Sequence, residues 1–277
     1  MGTQTVSYLD RYRTIQAAQR GRVLTLTLNR PRSLNSVDAT MHRELSTIFD
    51  EINRDPGVDI VVLTGAGRAF SAGGDSHWMT ELIDVPGEWQ RKAVESRRLW
   101  VSLLDLEKLL IGRLNGVAQG MCATILSLCD VVIASEDATL ADTHLNMALA
   151  ATDGCHSIWP FRLGFQKTKD LLLNATSLTA QEALNLGLVQ YVVPAAELDA
   201  AVERYVHSLQ QRSIRALQWT KMAVNFQMKQ IVLPALENGL NLLEMSNFAP
   251  DHREAVAAFN EKRAPRFPVP PDRREPE

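Results

Sequence analysis

The 277-residue chain is poor in the features that mark several common classes of protein. It has three cysteines, 6% aromatic residues, and no apolar run near the roughly 18 residues of a membrane span. Lys and Arg number 29 against 32 Asp and Glu, a formal net charge of −3. A sparse, odd cysteine count fits a reducing compartment better than a disulfide scaffold. We therefore expect a cytoplasmic protein whose partners include neither nucleic acid nor a membrane.

Metal-binding patterns are also missing. No cysteine pair has a zinc-type spacing, and the His, Asp and Glu residues are too scattered to suggest a metal site. Apolar residues make up 45% of the chain and charged residues 22%, which is ordinary for a globular protein. The length suits one large domain, or one domain with a smaller appendage.

Strand and helix patterns alternate over residues 1–194, which predicts an α/β core with mostly parallel strands. Helices are expected from Asp38, over 88–106 and over 121–129. The predicted strands cover residues 23–28, 59–65, 109–114, 130–134 and 189–193.

Residues 195–264 read as a helical C-terminal region that serves oligomerisation. A Pro-rich tail over 265–277 is expected to be extended, because five of the twelve prolines fall there. The helices predicted in the C-terminal region cover residues 195–211, 213–228, 231–246 and 251–262.

Two glycine turns carry the first chemical signal. Residues 67–75 read GRAFSAGGD, and residues 114–121 read LNGVAQGM. Each follows a predicted strand and precedes a helix, so each can be an ordinary strand-to-helix turn. Two such turns on neighbouring strands can also direct two backbone N–H groups at one oxygen, which is the geometry of an oxyanion hole.

These turns, with LNRPRSLNS before them and AFNEKRAPRF near the end, resemble the crotonase (enoyl-CoA hydratase/isomerase) superfamily. The resemblance covers residues 12–267. It implies a spiral of ββα units, a helical trimerisation region and a homotrimer or dimer of trimers. It also implies oxyanion-hole N–H groups at Gly74 and Met121, and adenine and pantetheine contacts near residues 30–34 and around residues 69–72, which include Ala72. Coenzyme A would enter only as part of the substrate, with Lys262 meeting its phosphates; a solvated lysine is the alternative.

The chain departs from the hydratase pattern at both catalytic glutamates. Without gaps, the first glutamate position falls on Thr124 and the second on His144. Two-glutamate hydration and single-glutamate isomerisation therefore both lack their usual groups. A histidine can move a proton near neutral pH, and an adjacent aspartate can fix its tautomer.

The altered positions resemble a smaller branch, the β-diketone hydrolases, which cleave a C–C bond between two carbonyls by a retro-Claisen route. That branch has the histidine at His144 and an aspartate at Asp153, nine residues later. It also implies catalytic roles for His42 and Glu244. The alternatives are a histidine on a helix face and a solvated glutamate. The branch's pocket tryptophan is Val37 here, and its second pocket histidine falls near Met121 or Cys122.

Further substrate contacts are expected beside the two turns. His77 and Trp78 follow the first turn, and Cys122 follows the second, so all three are placed in the acyl pocket together with Thr124. Trp159 and Phe161 are expected in the core.

Three functions remain open. The leading hypothesis is hydrolytic C–C cleavage of a β-dicarbonyl or β-keto acyl-CoA substrate, with His144 and Asp153 acting on water. The second is hydration or isomerisation of an unsaturated acyl-CoA. The third is a non-catalytic binding protein of this fold. The RPRSLNS and FNEKR segments favour coenzyme A, whereas the His/Asp pair favours a free diketone.

Overall fold

The computed structural model describes residues 9–267, and its strands form a six-stranded and a four-stranded sheet. The strands are β1 (Ile15–Arg20), β2 (Val23–Leu28), β3 (Ile60–Gly65), β4 (Ala69–Ser71), β5 (Leu109–Leu114), β6 (Val117–Gln119), β7 (Val131–Ser135), β8 (Thr139–Ala141), β9 (Leu178–Thr179) and β10 (Tyr191–Val193). The helices are α1 (Ala39–Arg54), α2 (Ser76–Asp84), α3 (Glu88–Asp105), α4 (Met121–Ser127), α5 (Cys155–Leu163), α6 (Phe165–Leu173), α7 (Ala180–Asn185), α8 (Leu198–Gln210), α9 (Ile214–Asn247) and α10 (Pro250–Asn260).

The large sheet has the order β1-β2-β3-β5-β7-β10, and every pair after β1-β2 is parallel. The prediction of mostly parallel strands is therefore confirmed. Strand β2 has the sequence VLTLTL, and its side chains alternate between buried and half-buried. Strand β3 is buried throughout, as expected for a parallel strand covered on both faces.

Three strands of the large sheet are each followed by a short strand of the second sheet. β3 leads to β4, β5 to β6 and β7 to β8, and β4, β6 and β8 pair in parallel. A helix comes after each of the first two pairs, which gives the ββα units that the family resemblance implied. Strands β4 and β6 lie within the two glycine segments, 67–75 and 114–121, and their pairing brings Gly73 and Gly120 side by side.

The C-terminal region differs from its prediction in one respect. The helices expected over 213–228 and 231–246 are a single 34-residue helix, α9, which continues through Pro234. Residues 229 and 230 are Lys and Gln, both good helix formers, so nothing ends the helix there. Val232, Leu236 and Leu243 lie on one face of α9 and join the main core.

The last strand ends at Val193, and only helices follow in the described part of the chain. Because α9 packs on α3 and α5 and shares their core, a domain boundary at residue 194 stays a prediction. The predicted tail is described only to residue 267, without regular structure, and 268–277 lie outside the described residues. Within residues 9–267, no helix has the length and apolar character needed to cross a membrane.

Helix α5 separates the two aromatic residues that were expected in the core. Trp159 is fully buried, and its indole Nε1 donates to Ser127 Oγ at 3.0 Å. Phe161 is 60% exposed, so the prediction for it is wrong. Two residues along a helix turn the side chain by about 200°, which places the two rings on opposite faces.

Candidate active site

The two glycine turns touch each other at the ends of β4 and β6. Gly73 has φ +87°, and a Cβ added to it would lie 3.3 Å from the carbonyl oxygen of Gln119. Gly120 has φ +56°, and its added Cβ would lie 4.0 Å from Gly73 Cα. Both backbone conformations favour glycine, and at Gly73 a side chain would also crowd the Gln119 carbonyl oxygen.

The turns leave two backbone donors free. Val37 N donates to Gly73 O at 2.8 Å, and Asp75 N donates to Val37 O at 2.9 Å, which fixes the chain on both sides of Gly74. Neither the Gly74 N–H nor the Met121 N–H has an acceptor among residues 9–267. Met121 is the first residue of α4, where an N–H has no partner within the helix. Both residues line one cavity.

The cavity has a volume of about 310 Å³ and largely apolar walls. Trp78, Leu82 and Trp89 come from α2 and α3, and Leu243 and Asn247 come from α9. Apolar walls with a few convergent polar groups are typical of a small-molecule site.

His144 begins the short turn after β8, and its ring is held by the aspartate two residues before it. Its Nδ1 lies 2.6 Å from Asp142 Oδ1, and its backbone N–H also donates to that oxygen at 3.2 Å. Since the carboxylate accepts, Nδ1 carries a proton. The other ring nitrogen, Nε2, lies 3.8 Å from Asp153 Oδ2. His144 and Asp153 both line the cavity, so the structure brings this predicted pair together.

Asp153 is placed by a tight turn before α5. Gly154 has φ +130°, and a Cβ there would lie 2.0 Å from Thr124 Cγ2. The Thr124 hydroxyl donates to Asp153 O at 3.1 Å, and the Asp153 carboxylate meets Lys92 Nζ at 3.4 Å. Thr124 is fully buried and does not line the cavity. The residue at the first glutamate position therefore supports the Asp153 turn instead of facing a substrate.

The four side chains form a charge-balanced cluster, defined here as Asp142, His144, Asp153 and Lys92. Burial alone would lower the pKa of His144, but the charges of Asp142 and Asp153 outweigh it and raise that pKa to about 10. Burial would raise the pKa of Asp153, but Lys92 and His144 lower it to about 2. His144 is thus an imidazolium at neutral pH, flanked by two carboxylates. Asp142 orients the ring through Nδ1, whereas Asp153 faces the opposite nitrogen.

His42 lies in the cavity wall without a free ring nitrogen. Its Nδ1 meets Glu95 Oε2 at 2.7 Å, and its Nε2 meets Ser96 Oγ at 3.1 Å. Burial lowers the pKa of this fully buried histidine, and the neutral ring packs 4.9 Å from the Trp78 ring. A proton-transfer role for His42 therefore conflicts with the structure, because both nitrogens already have protein partners.

Glu244 and His77 were predicted in the site, and neither side chain lines the cavity of this chain. In α9 the cavity-facing residues are Leu243 and Asn247, one helical turn apart; Glu244 lies about 100° around the helix from Leu243. His77 is exposed in the first turn of α2, whereas its neighbour Trp78 is buried and lines the cavity as predicted.

Of the remaining predicted contact residues, one lines the cavity and two do not. Ala72 lines the cavity, as expected. Cys122 is fully buried behind Met121, outside the lining, and burial raises the pKa of its thiol to about 12. Lys262 is exposed two residues after the end of α10 and lies outside the cavity lining. Its contact with coenzyme A phosphates stays a prediction.

Lys92 is a polar cavity residue that was not predicted from the sequence. It is 5% exposed and lies on the buried face of α3 with Trp89, Ser96 and Leu99. The signal was a lysine at the i+3 position of an otherwise apolar or small-residue stripe, where a charge needs a buried partner. His252 was missed as well; it lines the cavity from α10, and its Nδ1 donates to Met147 O at 2.6 Å. Within residues 9–267, no three His, Cys, Asp or Glu side chains cluster as a metal site would require.

The chain is similar in sequence and in fold to several known proteins. The chain is 30% identical to a short-chain-enoyl-CoA hydratase of Clostridium acetobutylicum, over 88% of this chain and 93% of the relative. An enoyl-CoA hydratase structure from Mycobacterium avium subsp. paratuberculosis matches with a TM-score of 0.84 and 28% identity, over 93% and 99% of the two chains. A β-diketone hydrolase from the cyanobacterium Anabaena, bound to (S)-3-oxocyclohexyl acetic acid, matches with a TM-score of 0.82 and 27% identity, over 88% and 98%.

Residues 18–269 match the family model described as enoyl-CoA hydratase/isomerase. The match spans most of the chain and includes both glycine turns and the four-residue cluster. With the ββα units, the paired turns and a C-terminal helical region, the sequence and the structure lead to the same assignment: this chain is an enzyme of the crotonase fold and belongs to the enoyl-CoA hydratase/isomerase family.

Proposed function

We propose that the protein hydrolyses the C–C bond between two carbonyl groups of a β-dicarbonyl substrate, through an enolate held by the N–H groups of Gly74 and Met121. The observation that carries the proposal is the arrangement of Asp142, His144 and Asp153 beside these free donors. It replaces the glutamates that hydration would use, and it supplies both a proton donor and a carboxylate for water.

The chemistry needs one water and no cofactor. Water adds to one carbonyl carbon, the C–C bond to the central carbon breaks, and the electron pair of that bond becomes the enolate of the second carbonyl. The enolate carbon then takes a proton, which leaves a carboxylic acid and a ketone in one molecule or two. Donors fixed before the reaction stabilise the developing enolate without reorganisation.

The charges of the cluster assign the two proton transfers to different residues. Asp153 is a carboxylate at neutral pH, so it can accept a hydrogen bond from the attacking water and take its proton as the tetrahedral intermediate forms. His144 is an imidazolium, so its Nε2–H can supply a proton when the enolate is quenched. Asp142 holds the ring from the opposite side throughout.

Hydration or isomerisation of an unsaturated acyl-CoA is the second candidate. The names of the relatives favour it over C–C hydrolysis, since the short-chain-enoyl-CoA hydratase is 30% identical. The site weighs against it, because Thr124 and His144 stand at the glutamate positions and the Thr124 hydroxyl is bonded to Asp153 O. A β-keto acyl-CoA would combine the family's acyl-CoA chemistry with C–C cleavage.

We further propose a homotrimer or dimer of trimers. Exposed apolar side chains on α9 support it, among them Trp219 at 70%, Phe226 at 66% and Met245 at 72% exposure. Such faces are usually covered in an assembly. Light scattering at micromolar concentration is expected to give at least the trimer mass, and a monodisperse monomer would contradict the assembly.

The substrate assay tests the proposed reaction. The protein is incubated with cyclic β-diketones and, separately, with crotonyl-CoA, in water enriched in the heavy oxygen isotope. C–C hydrolysis yields a ring-opened keto acid with one heavy oxygen in its carboxylate. A hydroxyacyl-CoA product with no diketone turnover would establish the second candidate instead. If neither substrate is turned over, both candidate reactions are contradicted for these compounds, and a binding role is favoured.

A further inference from the structure

We propose that Lys92 binds the second oxygen of the substrate, the one on the carbonyl that water attacks and that becomes the carboxylate of the product. This rests on the proposed function. It narrows the substrate class to compact dicarbonyl compounds whose two oxygens occupy separate sites: one on the backbone donors of Gly74 and Met121, the other on the Lys92 ammonium. An unsaturated acyl-CoA has only one such oxygen.

The first support is the position of the ammonium group. Lys92 is 5% exposed, yet it lines the cavity together with Trp89 and Asp153. Its Nζ lies 5.2 Å from the centre of the Trp89 ring and 3.4 Å from Asp153 Oδ1. The aromatic face and the carboxylate thus hold the charge at the cavity wall.

The second support is the unused hydrogen-bonding capacity of this group. An ammonium has three N–H donors, and within residues 9–267 Lys92 Nζ has a single acceptor, at the long distance of 3.4 Å. Lys221 is buried to a similar degree, but it donates to Lys108 O at 2.7 Å and pairs with Asp130 at 2.9 Å. The ammonium group of Lys221 therefore has hydrogen-bond acceptors within the protein. The cavity lysine keeps donors for an acceptor that the protein does not supply.

The third support is the geometry around Asp153. Lys92 approaches one carboxylate oxygen, and His144 Nε2 lies 3.8 Å from the other. A water held by Asp153 therefore has a positive group on either side. When that water adds to a carbonyl, the oxygen of that carbonyl becomes an oxyanion, and the C–C bond later breaks to leave a carboxylate at the same place. The backbone donors then serve the enolate oxygen, so each developing charge has its own partner.

Ligand binding tests this assignment without turnover. The probes are 3-oxocyclohexyl acetic acid, which carries a ketone and a carboxylate, and the corresponding primary amide, which has nearly the same shape without the charge. Calorimetry gives the dissociation constant of each for the wild type, Lys92→Met and Lys229→Met. Lys229 pairs with Asp105 outside the cavity, so its variant removes an equal charge from an ion pair that does not face the site.

The wild type is expected to bind the acid about 10- to 100-fold more tightly than the amide, the usual range for a hydrogen bond to a charged group. Lys92→Met should abolish this preference, and Lys229→Met should keep it. A preference that survives in Lys92→Met would overturn the assignment. If Lys92→Met does not fold, equal affinity of the wild type for acid and amide would overturn it alone. Diketone turnover by the wild type reports separately on the proposed function.

Discussion

Two histidines line the same cavity, and their surroundings give them opposite properties. His42 on α1 has Glu95 at one ring nitrogen and Ser96 at the other, and burial lowers its pKa. His144 after β8 has Asp142 at one nitrogen and Asp153 across from the other, and its pKa rises to about 10. Burial opposes the charged form of both rings. At His144 the charges of Asp142 and Asp153 outweigh burial. At His42 burial prevails over Glu95, and the charge of Lys92 lowers the pKa further.

The comparison shows that presence in the cavity is not enough for a proton-transfer role. Both ring nitrogens of His42 are hydrogen-bonded to protein groups, so its ring forms part of the cavity wall and packs against the Trp78 ring. His144 keeps Nε2 directed at Asp153 and the cavity, where a water or substrate can enter. The resemblance to the β-diketone hydrolases implied catalytic roles for both histidines, and only His144 has the surroundings that proton transfer to a ligand requires; its role stays a prediction.

Replacing each histidine by glutamine should give the largest difference between the two residues, in kcat and in the free energy of unfolding. His144→Gln is expected to lose about 10²–10⁴-fold in kcat, because the proton donor is gone. His42→Gln should change kcat by less than about tenfold, but lower the free energy of unfolding by about 1–3 kcal/mol, because Glu95 and Ser96 lose a matched partner. Steady-state kinetics and denaturant unfolding of both variants measure this.

Asp153→Asn provides the matching test of the cluster. It should lose about as much kcat as His144→Gln, and the double variant should be hardly worse than either, since groups acting as one unit are not additive. Additive losses would mean that His144 and Asp153 work independently. A larger kcat loss in His42→Gln than in His144→Gln would reverse the roles assigned here.

The backbone donor at Gly74 can be tested by substitution. Gly74→Pro removes the N–H and should cost about 10²–10³-fold in kcat, as the loss of one oxyanion donor does. Gly74→Ala is the matched control: its Cβ meets the same flexible neighbour, Met79 Cε, at 2.6 Å but the N–H stays. Full activity in a folded Gly74→Pro protein would show that this donor does not hold the reacting oxygen.

The pH dependence of kcat tests the charge of His144, with a smaller expected change in kcat than the substitutions above. If the imidazolium donates the proton, kcat should fall as the pH rises through about 10, the pKa in the folded protein. Asp142→Asn keeps the acceptor at Nδ1 but removes the charge, so the fall should move to lower pH, with about a tenfold loss near pH 8. An activity that rises with pH over this range would show that the neutral imidazole is the working form.

Much of the fold was predictable because its signals are local. The alternation in VLTLTL predicted both bounds of β2. The short strands β4 and β6 were not predicted, because they lie inside the two segments that were interpreted as turns. The single helix α9 was missed because a break was expected at residues 229–230, although neither residue ends a helix. The packing of its buried face on α3 and α5 shows that the helix continues.

The site was predictable only in part, because side-chain direction depends on tertiary packing. Asp142 stands two residues before His144, but which aspartate meets Nδ1 depends on the turn after β8. Lys92 lies 61 residues before Asp153, and no local pattern links them. Glu244 and His77 fell outside the cavity because one step along a helix turns a side chain by about 100°.

The charge state of His144 can be observed directly by nitrogen NMR of the protein with isotope-labelled histidine. His144→Gln and His42→Gln identify the two signals by their loss. At about pH 8, where an ordinary histidine is neutral, the His144 ring should be protonated at both nitrogens and should titrate near pH 10, while the His42 ring should be neutral. A His144 ring that is neutral at that pH, or that titrates at or below 6.5, would contradict the central claim that two aspartates hold an imidazolium in this cavity.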